Sequence, residues 1–450
     1  MVNAPTRYQL SGSTAAEICA SAERELRSGR LKGGDRLPPV RTLASYLGVS
    51  PGTVAAAYRT LRLRGMTVGE GRRGTRVAHR PALTVSLASA EPAVVPSGAR
   101  DLASGNPDPS LLPDLRPYLR ELSRAGADDV GRLYGQSAHL PALVELARAM
   151  FVADDVPAHA VAVVGGALDG VERALQAHLR PGDRVIVEDP GYPGVLDLVS
   201  ALALGPVPVA LDEEGISPSG LERAVAAGAR AAVVTPRAQN PTGAALTEAR
   251  ARQLRMVLRE YPDLLVIEDD HAGVISGAPP VTLAHRRRTR WAVVRSVSKA
   301  LGPDLRLAVV AGDDATIALI EGRRQLGPGW VSQILQRLVV ALWSDPSVAS
   351  LMARAASVYT ARREAFVNAL ASVGVTAHAA SGFNVWVPVP EEQAVVTRLL
   401  AEGWRITAGE RFRRRSLPAV RVTVARLSPA DAPLVASLVA AAVRPGPRLG

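Results

Sequence analysis

The stretch WAVVRSVSKALGPDLRLAVVAG, residues 291–312, decides the fold. It holds two short, Val-rich apolar runs separated by a Gly-Pro turn, the pattern of strands buried on both faces. Between them stands Lys299. The 450-residue chain has one other lysine, Lys32, against 51 arginines. Working outward, VAVVGG, DRVIVED, AAVVTP and LLVIEDD repeat the apolar pattern, with amphipathic segments between them. Strands alternating with helices predict a largely parallel α/β sheet over 101–345. After Asp345-Pro346 a long helix, about 347–370, opens a smaller α+β segment, 346–443.

The first segment, 8–78, reads differently. Residues 1–80 carry 14 basic and 5 acidic side chains, whereas the remaining 370 carry 39 and 37. A basic head on a near-neutral body suggests nucleic-acid binding at the head. Ile18, Ala22 and Leu26 mark one face of a helix over 14–28. Val40–Leu47 predicts a second helix, ended by Gly48. Ser50-Pro51 opens a third, because Ser is a good N-cap and Pro suits the first helical position. TVGEGRRGTRVA, 67–78, predicts two short strands around a Gly/Arg turn. Residues 79–100 hold three prolines and no period, and read as a linker.

The single Cys19 excludes a disulfide framework, and the seven histidines show no paired metal spacing. No signal peptide is visible, and no apolar run approaches the ~20 residues of a membrane span, so a cytoplasmic location is expected.

A lone lysine at the end of a buried strand suggests a Schiff-base amine. Ligands of open α/β sheets bind beyond the carboxyl ends of the strands. An aldehyde cofactor there also needs an acid for a pyridine nitrogen, a phosphate cup and a stacking aromatic. Asp269 ends LLVIEDD. Gly166 and Ala167 follow a strand and open a helix, with Ser296, Ser298 and Arg306 around Lys299 to complete a cup. Tyr192 in VEDPGYPG offers the aromatic, and Asn240 in TPRAQNPTG a donor for a ring oxygen.

Taken in order from Ser104-Gly105-Asn106-Pro107, these motifs resemble the fold-type I aminotransferases. The resemblance implies pyridoxal 5'-phosphate as cofactor, held as a Schiff base on Lys299. Asp269 would protonate the pyridine nitrogen and Asn240 would bond the ring oxygen. Tyr192 would stack on the ring, and Gly166, Ala167, Ser296, Ser298 and Arg306 would bind phosphate. It assigns Tyr134 to the neighbouring subunit's phosphate and Arg421 to a substrate carboxylate, with Arg426 as the alternative.

The head segment LPPVRTLASYLGVSPGTVAAAYRTLRLRG resembles the winged helix-turn-helix of GntR-type regulators. The matching positions are Leu37-Pro38, Arg41, Ser50, Thr53 and Val54. The resemblance implies a phosphate contact from Arg41, with Ser50, Gly52 and Thr53 at the groove-facing helix end and Arg72, Arg73 and Thr75 on the wing.

The combination resembles the MocR subfamily. It implies a transcriptional regulator that binds operator DNA and senses pyridoxal phosphate, in some members with an amino-compound effector. A head-to-tail homodimer is implied too. Two other readings fit the same residues: a working aminotransferase that carries a DNA-binding domain, and a cofactor-free regulator that uses the fold for dimerisation.

The sequence departs from the family pattern at several places. His271 replaces a Tyr after the paired acids, and there an imidazole can still bond the ring oxygen. His139 and Val144 stand in the places of a Gly and an Arg, with His139 read as a surface-loop residue. Asp154-Asp155 replaces Arg-Gly, Leu168 a Gln, and Arg237-Ala238 a Ser/Asn-His pair.

Overall fold

The structure is a computed structural model that describes residues 9–27, 30–63, 66–69, 74–77, 98–124 and 133–443. Its contacts divide into two units, one containing Met1–Ala90 and one containing most of Glu91–Gly450.

In the head, α1 (Ala15–Arg27) and α2 (Val40–Leu47) both pack on α3 (Pro51–Leu63). The local chemistry is as the sequence predicts. The Thr53 N–H donates to Ser50 Oγ at 3.1 Å and so caps α3, while Gly48 at φ 67° ends α2. Ile18, Ala22, Leu43, Val54, Ala57 and Leu61 are buried together. Each large one contributes about 1.5–3 kcal/mol. The Tyr58 hydroxyl donates to Pro38 O at 2.7 Å and ties α3 to the turn before α2. Strands β1 (Thr67–Gly69) and β2 (Thr75–Val77) pair antiparallel. Arg72 and Arg73, assigned to the turn between them, lie outside the described residues, as do 79–97 of the linker.

The body begins at β3 (Arg100–Asp101). Its main sheet is built from β4 (Ala160–Val164), β5 (Arg184–Asp189), β6 (Gly205–Asp212), β7 (Gly215–Ile216), β8 (Ala229–Val234), β9 (Leu265–Asp270), β10 (Trp291–Ser296) and β11 (Ala308–Gly312). The spatial order is β4-β11-β10-β9-β8-β5-β6-β7. Strands β8, β9 and β10 run parallel. The sheet is mostly parallel, as expected, with β11 antiparallel to both β10 and β4 and β7 antiparallel to β6. Only residues 297–307 join β10 to β11, too few for the crossover that a parallel pair requires.

Alternation of side chains explains why both faces are apolar. Val163, Val293 and Val309 pack with Phe151 of the helix Pro141–Ala153. On the other face Val164 and Val294 meet the helix Ala167–His178 at Gly170, where a Cβ would come within 2.9 Å of Val294 Cγ1. That helix can lie so close only because the position is glycine.

The C-terminal part has its own core around Phe366, Leu370, Val385, Val420, Val422 and Val435. It contains the long helix Pro346–Ser372 and the strands β12 (Asn384–Pro388), β14 (Thr407–Ala408) and β15 (Ala419–Thr423), in the order β12-β15-β14. Strand β13 (Trp404–Arg405) pairs parallel with β3. Among the described residues no helix is long and apolar enough to cross a membrane.

Candidate functional site

Strand ends deliver the chemistry. Asp269 is the next-to-last residue of β9, and Ser296 ends β10 three residues before Lys299. Period-two alternation sends Asp269 and Asp270 to opposite faces, and the two acquire opposite surroundings.

Asp269 is buried, and among the described residues its Oδ1 has no hydrogen-bond partner. Burial pushes its carboxyl up; the His271 imidazole, with Nδ1 4.0 Å from Oδ1, opposes that, and Glu188 and Asp270 reinforce it. A buried acceptor without a donor costs about 1–3 kcal/mol. A protonated ring nitrogen is the kind of donor that would relieve it.

Lys299 Nζ donates to Gly105 O at 2.7 Å and lies 5.8 Å from the Phe383 ring centroid. Burial, aided by the Arg421 charge, lowers its pKa to about 8. A neutral amine is the nucleophilic form, and burial makes that form easier to reach at Lys299.

The helix Ala167–His178 starts at Gly166, φ 115°, with no side chain capping it. A Cβ on Gly166 would come within 3.1 Å of Arg306 Nη2, so the guanidinium and the helix N-terminus share one small space. Arg306 also donates to Gly165 O at 3.4 Å, and the Gly165 N–H donates to Asp169 Oδ2 at 2.7 Å. Beside Lys299, Ser296 Oγ donates to Ser298 Oγ at 3.0 Å. Uncapped N–H groups, an arginine and two hydroxyls form a donor set for a phosphate.

Arg421, on β15, is buried and carries no carboxylate partner among the described residues. Its guanidinium donates to Asn240 Oδ1 at 3.0 Å and to Ala103 O, and its Nε is unpartnered. Burial, then the neighbouring Arg411 charge, lowers its pKa to about 10, so it stays cationic. Tyr192 keeps 39% of its surface exposed; desolvation of its inner part, then the Asp269 charge, pushes its hydroxyl up. Arg426, the alternative to Arg421, is exposed.

Asp269 thus links Tyr192 and His271, and the Lys299 amine senses the Arg421 charge. Tyr134 is not gathered with them: it is 91% exposed, with its ring edge-on to Trp330 at 5.6 Å. His139 differs from the surface-loop expectation. It is half-buried, hydrogen-bonded to Glu321 and within 3.4 Å of Arg324, because the loop packs on the helix Asp314–Gln325.

Two features were not legible beforehand. Lys299 and Arg421 both bond carbonyls of one backbone segment, Ala103–Gly105, although the Ser104–Pro107 motif marks its place. Two departures from the family pattern also meet in space. Arg237 grips Asp270 through two bonds of 2.8 Å and reaches Asp154 at 3.4 Å. Arg295 bonds Asp270 at 2.9 Å and Asp154 at 2.8 Å. Burial alone would raise Asp270, yet the two arginines hold it far below the usual carboxylate range.

In the head, Arg41, Ser50 and Gly52 are exposed, whereas Thr53 and Thr75 are half-buried. An exposed helix start with an arginine nearby suits contact with a phosphate backbone.

Comparison with known proteins fits both halves. Residues 14–77 match the model of bacterial regulatory proteins, gntR family, and residues 99–437 match aminotransferase class I and II. The chain belongs to the MocR-like branch of the GntR-type transcriptional regulators, in which a helix-turn-helix head is joined to an aminotransferase-like domain.

Among its relatives is the vitamin B6 salvage pathway transcriptional repressor PtsJ of Salmonella typhimurium, 41% identical over 405 residues, 90% of this chain and 92% of that one. The HTH-type transcriptional regulator TauR of Rhodobacter capsulatus is 28% identical, covering 93% of this chain and 94% of its own. A solved kynurenine aminotransferase of Pyrococcus horikoshii shares the fold, with a TM-score of 0.71 at 22% identity over 77% of this chain and 91% of that one.

Proposed function

We propose that the aminotransferase-like domain binds pyridoxal 5'-phosphate on Lys299, and that its occupancy, alone or with an amino-compound effector, sets operator binding by the head. The similarity to the Salmonella repressor of vitamin B6 salvage supports that pathway as the regulated process. The working unit in this reading is a head-to-tail homodimer in the cytoplasm, in which Tyr134 serves the neighbouring subunit.

The observation that carries the reading is the pairing of a lysine lowered to about 8 with a buried Asp269 oxygen that lacks a donor. When bound, pyridoxal phosphate supplies an aldehyde that condenses with amines and a pyridine ring that withdraws electrons. Lys299 offers the amine, and Asp269 holds a proton on the ring nitrogen. Gly166, Ala167, Ser296, Ser298 and Arg306 hold the phosphate. Tyr192 covers the ring, while Asn240 and His271 face its oxygen. Arg421 takes the carboxylate of an amino-acid effector, exchanging its bond to Ala103 O for a stronger charged pair.

The test is the visible absorbance of the full chain mixed with pyridoxal phosphate, compared with Lys299→Ala. A band in the wild type alone supports the reading. A band in neither contradicts it, and leaves the body as a dimerisation device. Sustained turnover of an amino donor with a keto acid favours a working aminotransferase.

A further inference from the structure

The opposite rim of the main sheet, at the amino ends of its strands, carries a feature that cofactor binding leaves unused. The run HRRRTR, His285–Arg290, leads into the start of β10, the end away from Ser296 and Lys299. One arginine of the run is an anchor. Arg288 donates to Leu258 O at 3.0 Å, to Tyr261 O at 3.1 Å and to Leu264 O, which fixes the loop to the end of the helix Glu248–Arg259. The Arg287 N–H donates to His285 Nδ1 at 3.2 Å and sets the turn. So fixed, the loop leaves Arg286 and Arg287 exposed.

Two grooves meet at His285. One, of about 610 Å³, is lined by Arg148, His159 and Arg286, with Asp155 as its one carboxylate. The other, of about 530 Å³, is lined by Arg255, Arg259, Arg287 and Arg288 and by no carboxylate. Some of these cations are neutralised: Arg148 pairs with Glu145 at 2.7 Å, Arg255 with Glu248 at 3.5 Å and Arg290 with Asp263 at 3.6 Å. Arg259, Arg286 and Arg287 pair with no carboxylate among the described residues. The body as a whole holds 39 basic and 37 acidic residues over 81–450, so this rim is a local concentration and not a sample of the average surface.

We propose that this rim binds the phosphate backbone of duplex DNA, as a second, sequence-independent contact of the regulator beyond its helix-turn-helix head. Guanidinium groups present paired donors that match phosphate oxygens. Three unneutralised arginines on a fixed loop and a helix end match a repeating monoanion better than a single small ion. The grooves lie by the start of β10, at the strand end remote from Lys299, so the contact does not require bound cofactor.

The test uses the full chain loaded with pyridoxal phosphate and a mixed-sequence duplex of about 60 base pairs, with affinity followed across a salt series. The variant Arg259→Ala/Arg286→Ala/Arg287→Ala should bind at least about tenfold more weakly at low salt. Its slope of log affinity against log salt should be shallower by about 2–3, near 0.9 for each lost phosphate contact. Substitution of the same three positions by Lys should restore most of the slope, because point charges suffice for a backbone contact. Unchanged absorbance of the bound cofactor reports that the body is folded. A slope equal to that of the wild type overturns the proposal. So does saturable binding of inorganic phosphate at this rim that displaces the duplex in the wild type and not in the triple variant, since the rim would then be a small-anion site.

Discussion

The head and the body use the same residue for opposite purposes. Of 53 cations in the chain, 51 are arginine, yet in the head Arg41, Arg59 and Arg62 face outward, whereas in the body Arg237, Arg295, Arg324, Arg363 and Arg421 are at most 6% exposed. A small three-helix head has little interior and keeps its guanidiniums in water, where they serve a polyanion. A large sheet has an interior that needs charge in places. There each arginine has a carboxylate or carbonyl to answer to, and loss of one leaves a buried charge exposed to low dielectric. Composition alone cannot separate these uses; the partner within reach does.

Four substitutions sharpen or break that contrast. Arg237→Met should have the largest effect on folding. It leaves Asp270 and Asp154 to Arg295 alone, and should cost about 3 kcal/mol in chemical denaturation. Pairing it with Asp154→Leu should recover part of the loss; if the two losses simply add, the network is not a unit.

Gly166→Ala comes next, and touches ligand more than fold. At φ 115° with Arg306 3.1 Å from the new Cβ, it should weaken cofactor affinity by an order of magnitude or more, about 1–3 kcal/mol. Unchanged affinity in a cofactor titration would remove Gly166 from the phosphate cup.

Glu268→Gln tests the interior by pH. Glu268 Oε1 accepts from Thr282 Oγ1, Leu283 N and Ala284 N, and burial raises its pKa from 4.5 to about 7. A raised carboxyl binds its proton more tightly in the folded state, so its contribution falls as pH rises from about 4.5 to 7 and is flat above. Gln cannot titrate and keeps the carbonyl acceptor. The variant should lose this part of the slope of stability against pH, and an unaltered slope would contradict the assignment.

The smallest effect is expected in the head. Ser50→Ala removes the cap of α3 and should cost about 1 kcal/mol, read as a lower melting midpoint of the head with the body unaffected.

These contrasts also mark what the sequence could tell. The strands of the main sheet were legible because buried runs such as VAVVGG and LLVIEDD are continuous and short. The start of α3 was legible because Ser50-Pro51 is a local signal. The direction of β11 was not inferred, although the length of its connection, residues 297–307, was there to be counted. The strand Gly205–Asp212 escaped because Pro206 and Pro208 interrupt its pattern and its burial is partial.

Site residues at strand ends followed from motif order. The contact between Asp154 and Arg237 did not, because 83 positions separate them and each looked like an isolated departure. The bonds from Lys299 and Arg421 to Gly105 O and Ala103 O were hidden for a different reason: backbone acceptors have no signature in side-chain sequence.

The central claim is that Lys299 makes the body a pyridoxal-phosphate sensor for the head. The most direct measurement is the affinity of the full chain for promoter DNA of a vitamin B6 salvage gene, with and without pyridoxal phosphate, in wild type and Lys299→Ala. The account predicts that the cofactor shifts wild-type affinity several-fold while the variant binds DNA with an affinity that ignores the cofactor. An equal shift in both proteins, or none in either, would contradict it.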